Sequence, residues 1–298
     1  MGATLMQRIV DALPFLDRIA DGLQPKVQEA VEAGGTPARN VLDGVWLEAP
    51  LHPALTDVPV GSWTAAIIFD GLDVATDSRA MKNAADASLA VGVAGALGAA
   101  LTGLSDWRYL SGGSRRMGIA HALLNTVGLV LIIISLVLRA TGRRNAGRLA
   151  SLSGYSVAGM AAHIGGELSY HYGLRVDRNV VQGEGPDEFS PVLDEEELPQ
   201  DGMRRVSANG AEILLSRSSG GAICAISSVC GHFGGPLEQG DREGDTVVCP
   251  WHKSRFELCS GRVIDGPAIF PQPIYETRVR DGKIEVRAEA ENIQKRVK

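Results

Sequence analysis

The chain has 298 residues, 21% charged and 45% apolar, with a net charge of −6, so it is long enough for two domains. That acidity, with no basic stripe, excludes nucleic acid as a partner, because neutralising phosphates needs clustered Lys and Arg. Four Cys, all after residue 220, are too sparse for a secreted disulfide scaffold.

In residues 1–44, Leu5, Ile9, Leu13, Leu16, Ile19, Ala20 and Leu23 recur near helical spacing and predict a surface amphipathic helix over 4–23. The segment has neither the basic start nor the unbroken apolar core of a signal peptide. Residues 45–175 contain uncharged runs at 87–105, 117–138 and 149–166, close to the roughly 20 residues that cross a bilayer. Together with a shorter run at 58–69 they predict four transmembrane helices near 56–75, 86–106, 118–138 and 149–171. The expectation is an α-helical, multi-pass bundle integral to the lipid bilayer. Gly92, Gly95, Ala96, Gly98, Ala99 and Ala100 place the second helix inside it, since small residues let helices approach closely. Four spans put both ends of this domain on one side. Basic residues flank the spans equally on the two sides, Arg139, Arg144 and Arg148 among those on the side away from the domain ends, so charge does not orient the bundle.

Ionisable residues within such spans cost on the order of 2.5 to 3.5 kcal/mol at the bilayer centre and mark functional candidates. His121, His163 and Glu167 fall toward the side of the domain ends, as do His52, Asp57, Asp106 and Asn125. Three readings stand for them: haem b held by His121 and His163, a quinone or proton site, or mutual hydrogen bonding that locks the bundle. His171 reads as interfacial, and His52, between Pro50 and Pro53, as structural.

Residues 176–188 open a stretch rich in Asp and Glu and read as a solvated acidic linker. From 189 to 290 the pattern turns to period two and predicts an all-β domain. Strands are expected at 213–216, 222–226 and 246–248, and a hairpin pairs 275–280 with 283–287 through Asp281-Gly282.

Within this domain stand Cys230-Gly231-His232 and, further on, Cys249-Pro250-Trp251-His252. Two Cys and two His allow a zinc site on ligand type alone. The spacing opposes a zinc finger, because each loop supplies one Cys and one His. The pattern resembles the Rieske [2Fe-2S] family over about 189–287, including the loops that begin at Cys230 and Cys249 and Gly261-Arg262-Val263 beyond them.

That resemblance implies a [2Fe-2S] cluster with Cys230 and Cys249 on one iron and His232 and His252 on the other. Replacing two thiolates by neutral imidazoles raises the potential above that of an all-cysteine ferredoxin. High-potential members carry a disulfide across the two loops, and here the equivalent positions are Gly235 and Trp251. Ser254 matches a hydroxyl that donates to a bridging sulfide, while Phe256 stands where a tyrosine would donate a second time. An intermediate potential follows, inside the family window of about −150 to +300 mV. Pro267 lies in a stretch similar to the family's proline loop over the cluster. Cys224 reads as core filling and Cys259 as a partly exposed thiol.

Leu51-His52-Pro53, Ala120-His121 and His163 through Tyr170 make residues 45–173 similar to a family of four-span membrane domains, DUF2231. The combined expectation is a membrane-anchored carrier that passes single electrons between a donor and an acceptor: a quinol, a cytochrome, or the reductase or oxygenase component of an oxygenase system. The alternatives are a ferredoxin-like subunit of such a system and a non-enzymatic redox sensor whose cluster state alters the bundle. The 46 residues after His252 are too few for a catalytic oxygenase domain. Because clusters are built where thiols stay reduced, and the export signal and the disulfide across the two loops are both missing, the Rieske domain is expected in the cytoplasm, although the arginine-rich loop 139–148 argues the other way.

Overall fold

The computed structural model describes residues 4–289; residues 1–3 and 290–298, which include the outer edges of the expected segments 1–44 and 189–290, lie outside it. The chain forms two compact units. One comprises residues 1–35 and 50–174, the other 36–49 and 175–298.

In the helical unit, α1 (Leu5–Asp11) and α2 (Phe15–Ala33) replace the single expected amphipathic helix. The break falls at Pro14, which has no N–H to donate and disfavours helical backbone in the residue before it. Thr4 caps α1, its side chain accepting from the Gln7 backbone N–H while the Gln7 side chain accepts from the Thr4 N–H. Helix α2 is tied to the bundle through Gln24, whose Nε2 donates to Leu110 O at 2.8 Å, and through the Arg116–Asp17 ion pair at 2.6 Å.

Four long helices follow α3 (Gly35–Asp43): α4 (Leu51–Thr76), α5 (Arg79–Trp107), α6 (Gly112–Ala140) and α7 (Arg144–Tyr170). Three of them, α4, α5 and α6, are long and apolar enough to cross a membrane, rather than the expected four. The segment 149–171 forms a helix of sufficient length. Its outward face, however, interrupts Leu149, Leu152 and Met160 with Ser153, Ser156 and Gly159, which lowers its hydropathy. The other three carry outward rows of large apolar residues, among them Ile68, Leu97, Leu101, Val130 and Ile133. Helices α6 and α7 approach closely at Gly128 and Gly154, where a Cβ on either would come within 3.0 Å of the other's carbonyl oxygen.

A buried ionic network joins all four long helices. Arg139 of α6, its side chain 2% exposed, donates to both carboxylate oxygens of Asp70 in α4 and, at 3.0 Å, to Asp86 in α5. It also donates to Ser135 and, across to α7, to Ser151, each at 3.0 Å. Arg144 pairs with Asp86 at 3.0 Å and Arg148 pairs with Asp73.

In the β unit, a six-stranded antiparallel sheet has the order β1-β10-β9-β4-β3-β2, and a four-stranded sheet has the order β5-β6-β7-β8. Central to the larger sheet are β3 (Ala211–Arg217) and β4 (Ile223–Ser227), flanked by β2 (Met203–Ala208), β9 (Ile274–Arg280), β10 (Lys283–Ala288) and β1 (Ser190–Asp194). The smaller sheet contains β5 (Asp241–Glu243), β6 (Thr246–Val248), β7 (Arg255–Glu257) and β8 (Val263–Asp265). Alternation along β3 sends Ile213 and Leu215 into one core with Ala225, Tyr275 and Val286. Leu214 faces a second core with Ile226, Val247, Phe256, Cys230 and Cys249. Asp281 and Gly282 take φ of 50° and 73°, the two left-handed positions that a tight β9–β10 hairpin requires.

Candidate metal centre

Each of the two Cys-His loops is a tight turn that follows a strand. After β4, Cys230 O accepts from Gly234 N at 2.8 Å, and Cys230 N donates to Gly235 O at 2.9 Å. After β6, Cys249 O accepts from Lys253 N at 3.1 Å, and Cys249 N donates to Ser254 O at 2.8 Å. The two strands share the second core, so both thiols enter it from above: Cys230 and Cys249 are each 1% exposed and neither is in a disulfide.

The sulfurs meet. The Cys249 thiol is lowered to about 7, first by its hydrogen bond with Cys230, against the opposing effect of burial, and also by the backbone N–H groups of Trp251 and His252. By the same hydrogen bond, and by burial, Cys230 is pushed well above the ordinary thiol range, although its sulfur faces the N–H groups of His232 and Phe233. Four loop amides thus point at two sulfurs, an environment suited to thiolate negative charge. Loop crowding explains Gly235, where a Cβ would sit 2.8 Å from Cys249 Sγ and 3.3 Å from the Trp251 ring.

The imidazoles of His232 and His252 pack edge to face with ring centroids 5.0 Å apart. Among the described residues, no three His, Cys, Asp or Glu side chains are grouped to hold a single metal ion. The two thiols contact each other and the two imidazoles contact each other, so the donors form one sulfur pair and one nitrogen pair, the donor set of a two-metal group with unlike ends. Ser254 is fully buried beside them, and its Oγ accepts from Ala268 N at 2.9 Å, which leaves the hydroxyl hydrogen available. Phe256 is fully buried under the thiols, whereas Trp251 is 55% exposed and packs against His252. Pro267 follows a cis peptide bond in the loop after β8, with Ala268 and Ile269 buried behind it. His232 is only 6% exposed and His252 is half-buried, so the two rings are unequal in access to solvent.

Cys224 and Cys259, expected as unpaired thiols, are joined by a disulfide. Cys224 lies in β4, the strand that leads into the first loop, and Cys259 just after β7, the strand that follows the second. No motif announced this pairing, because 34 residues separate two cysteines that only the sheet topology brings together.

In the helical unit, His121 Nδ1–H donates to Ala161 O at 2.8 Å, and Asn125 Nδ2 donates to His121 Nε2 at 3.0 Å. The ring neighbour of His121 is His52, at 6.2 Å, whose Nδ1–H donates to Ala99 O at 2.8 Å. His163 is 68% exposed with its Nε2 3.8 Å from Glu167, and Glu167 accepts from Thr4 Oγ1 at 2.9 Å. The larger polar assembly is the Asp70–Arg139 network at α4–α7, which sequence reading took for flanking charges.

Comparison with known proteins places two families on this chain. Residues 188–276 match the Rieske [2Fe-2S] domain, and residues 48–178 match the predicted membrane protein family DUF2231. Ferredoxin CarAc of Metapseudomonas resinovorans is 31% identical over 87 residues, covering 29% of this chain and 81% of that protein. The ferredoxin component of the naphthalene 1,2-dioxygenase/salicylate 5-hydroxylase systems of Ralstonia sp is 27% identical over 94 residues, 32% of this chain and 89% of its own length. Human apoptosis-inducing factor 3 is 30% identical over 92 residues, 31% of this chain and only 15% of its own length.

Proposed function

The chain belongs to the Rieske [2Fe-2S] family and carries a DUF2231 membrane domain, and from that premise we propose that it is a membrane-anchored one-electron carrier. One observation carries the reading: two buried thiols in hydrogen-bond contact and two imidazoles edge to face, presented by facing loops. Cys230 and Cys249 would hold one iron and His232 and His252 the other. A bound cluster supplies reversible one-electron chemistry at a potential raised by its neutral ligands.

The chain's own residues do the rest. Amides of both loops hold negative charge on the sulfurs, the core containing Phe256 keeps water from beneath them, and the Ser254 hydroxyl is placed to donate toward the group. His252, beside exposed Trp251, is the edge through which a docked partner would exchange the electron. Relatives named as ferredoxin components favour an oxygenase or its reductase as the soluble partner, with a quinol or a cytochrome as the membrane alternative. A haem b or a quinone in the helical unit, at His121, His163 or Glu167, stays a separate proposal; His121 Nδ1 donates to Ala161 O and its Nε2 accepts from Asn125.

The test is electron counting on full-length protein in nanodiscs, prepared anaerobically and titrated with dithionite. One electron per chain is expected, returned to oxidised cytochrome c, with a paramagnetic signal from the reduced form. Cys249→Ser and His252→Ala should each abolish uptake and signal. Wild-type protein that takes up no electron, or an unaltered signal in His252→Ala, overturns the proposal.

A further inference from the structure

Two segments outside the Rieske match are part of the β unit: 36–49, which leads into α4, and 175–187, which leaves α7. Both grip the loops of the candidate centre. Asp43 and Arg175 form a buried ion pair at 2.8 Å, their side chains 0% and 5% exposed, and Arg175 also donates to Pro267 O at 2.6 Å. Asn40 donates to Ile264 O at 3.0 Å and accepts from Gly266 N at 2.9 Å, while Arg39 pairs with Asp265. The fit leaves no room at Gly266, where a Cβ would sit 2.8 Å from Asp43 Oδ2. On the other loop, Arg178 N donates to Gly231 O at 2.9 Å, between Cys230 and His232. A small cavity beside His232 is walled by Arg175, Val176 and Asp177 on one side and by Pro267 and Phe270 on the other.

We infer that these two connectors are the fixed wall over His232, with Asp43 and Arg175 as the positioning residues that hold the proline loop against the 175–178 backbone, whose Arg178 N–H in turn holds the first Cys-His loop. The inference rests on the proposed cluster site but concerns a different property, namely which imidazole edge is reachable. Covered His232 and half-open His252 make electron exchange one-sided. Because the wall is built from the chain leading to and from the membrane helices, a displacement of either connector bears directly on the loops. Buried as it is, the pair is sensitive: removing one partner strands the other's charge away from water.

The experiment compares full-length wild type, Asp43→Asn and Arg175→Gln in nanodiscs by hydrogen exchange and by redox titration. Both variants should exchange at least tenfold faster than wild type in 230–235 and 264–270, with 211–217 unchanged. Both should also raise the midpoint potential, because water admitted beside His232 stabilises the extra negative charge of the reduced form. The sign for Arg175→Gln is decisive, since loss of a positive charge alone would lower the potential. Unchanged exchange overturns the inference, and so do potential shifts of opposite sign in the two variants. Should either variant fail to fold, Arg39→Gln cuts only the link to Asp265; faster exchange confined to 264–270 supports the wall, and none overturns it. Wild type lacking a cluster would defeat the proposed function, while the exchange comparison would still decide this inference.

Discussion

The two units bury polar groups to opposite ends. In the helical unit Arg139 is answered by Asp70, Asp86, Ser135 and Ser151, and the His121 ring by a carbonyl and an amide. In the β unit two buried thiols are in hydrogen-bond contact and two imidazoles stand edge to face. Burying a polar group is costly unless it is paired. The bundle meets that cost internally and becomes a scaffold, whereas the loops are arranged to meet it with an added group.

The comparison breaks if the bundle's ions are dispensable. Asp70→Ala strands Arg139 in the helical unit and should destabilise it by about 3 to 5 kcal/mol in detergent unfolding experiments. Adding Arg139→Met should recover most of the loss, and the visible spectrum of the β unit should not change in either variant. A loss under about 1 kcal/mol in Asp70→Ala would mean that the network is not structural.

A smaller effect sharpens the contrast with a surface pair. Arg205 and, next, Ser207 hold the Glu212 carboxyl below its ordinary value of 4.5. A carboxyl so lowered stabilises the fold above that value, and the contribution is lost as pH falls from 4.5 through the lowered folded value. Arg205→Gln should therefore weaken the β unit at pH 7 by under about 1 kcal/mol, because the pair is solvent-screened, and should have no effect once Glu212 is protonated. Urea unfolding at pH 7 and at strongly acid pH checks the sign; a larger effect in acid would contradict it.

What could be read from the sequence was local. The Cys-x-His and Cys-x-x-His loops, the Asp281-Gly282 hairpin and the apolar cores of α4, α5 and α6 are contiguous patterns, and the fold contains all of them. Partnerships between distant segments were not legible. Asp43 lies 132 positions from Arg175, across the whole membrane domain, so nothing local ties residues 36–49 to the β unit. Arg139, Arg144 and Arg148 read as charges flanking spans because an ion pair and a topology signal look alike in one dimension. The shortfall of α7 was hidden by its lack of charge, since Ser and Gly interrupt a span's apolar face as charges do, only more quietly.

The central claim is that four side chains from two loops hold a pair of irons in unlike environments. Mössbauer spectroscopy of iron-57-labelled full-length protein, with iron and acid-labile sulfide counted on the same sample, tests it most directly. The account predicts two iron and two sulfide per chain, and on reduction a localised ferrous site distinct from a ferric one, as sulfur and nitrogen ligation of separate irons requires. A single iron without sulfide, or two indistinguishable sulfur-ligated irons, would contradict it.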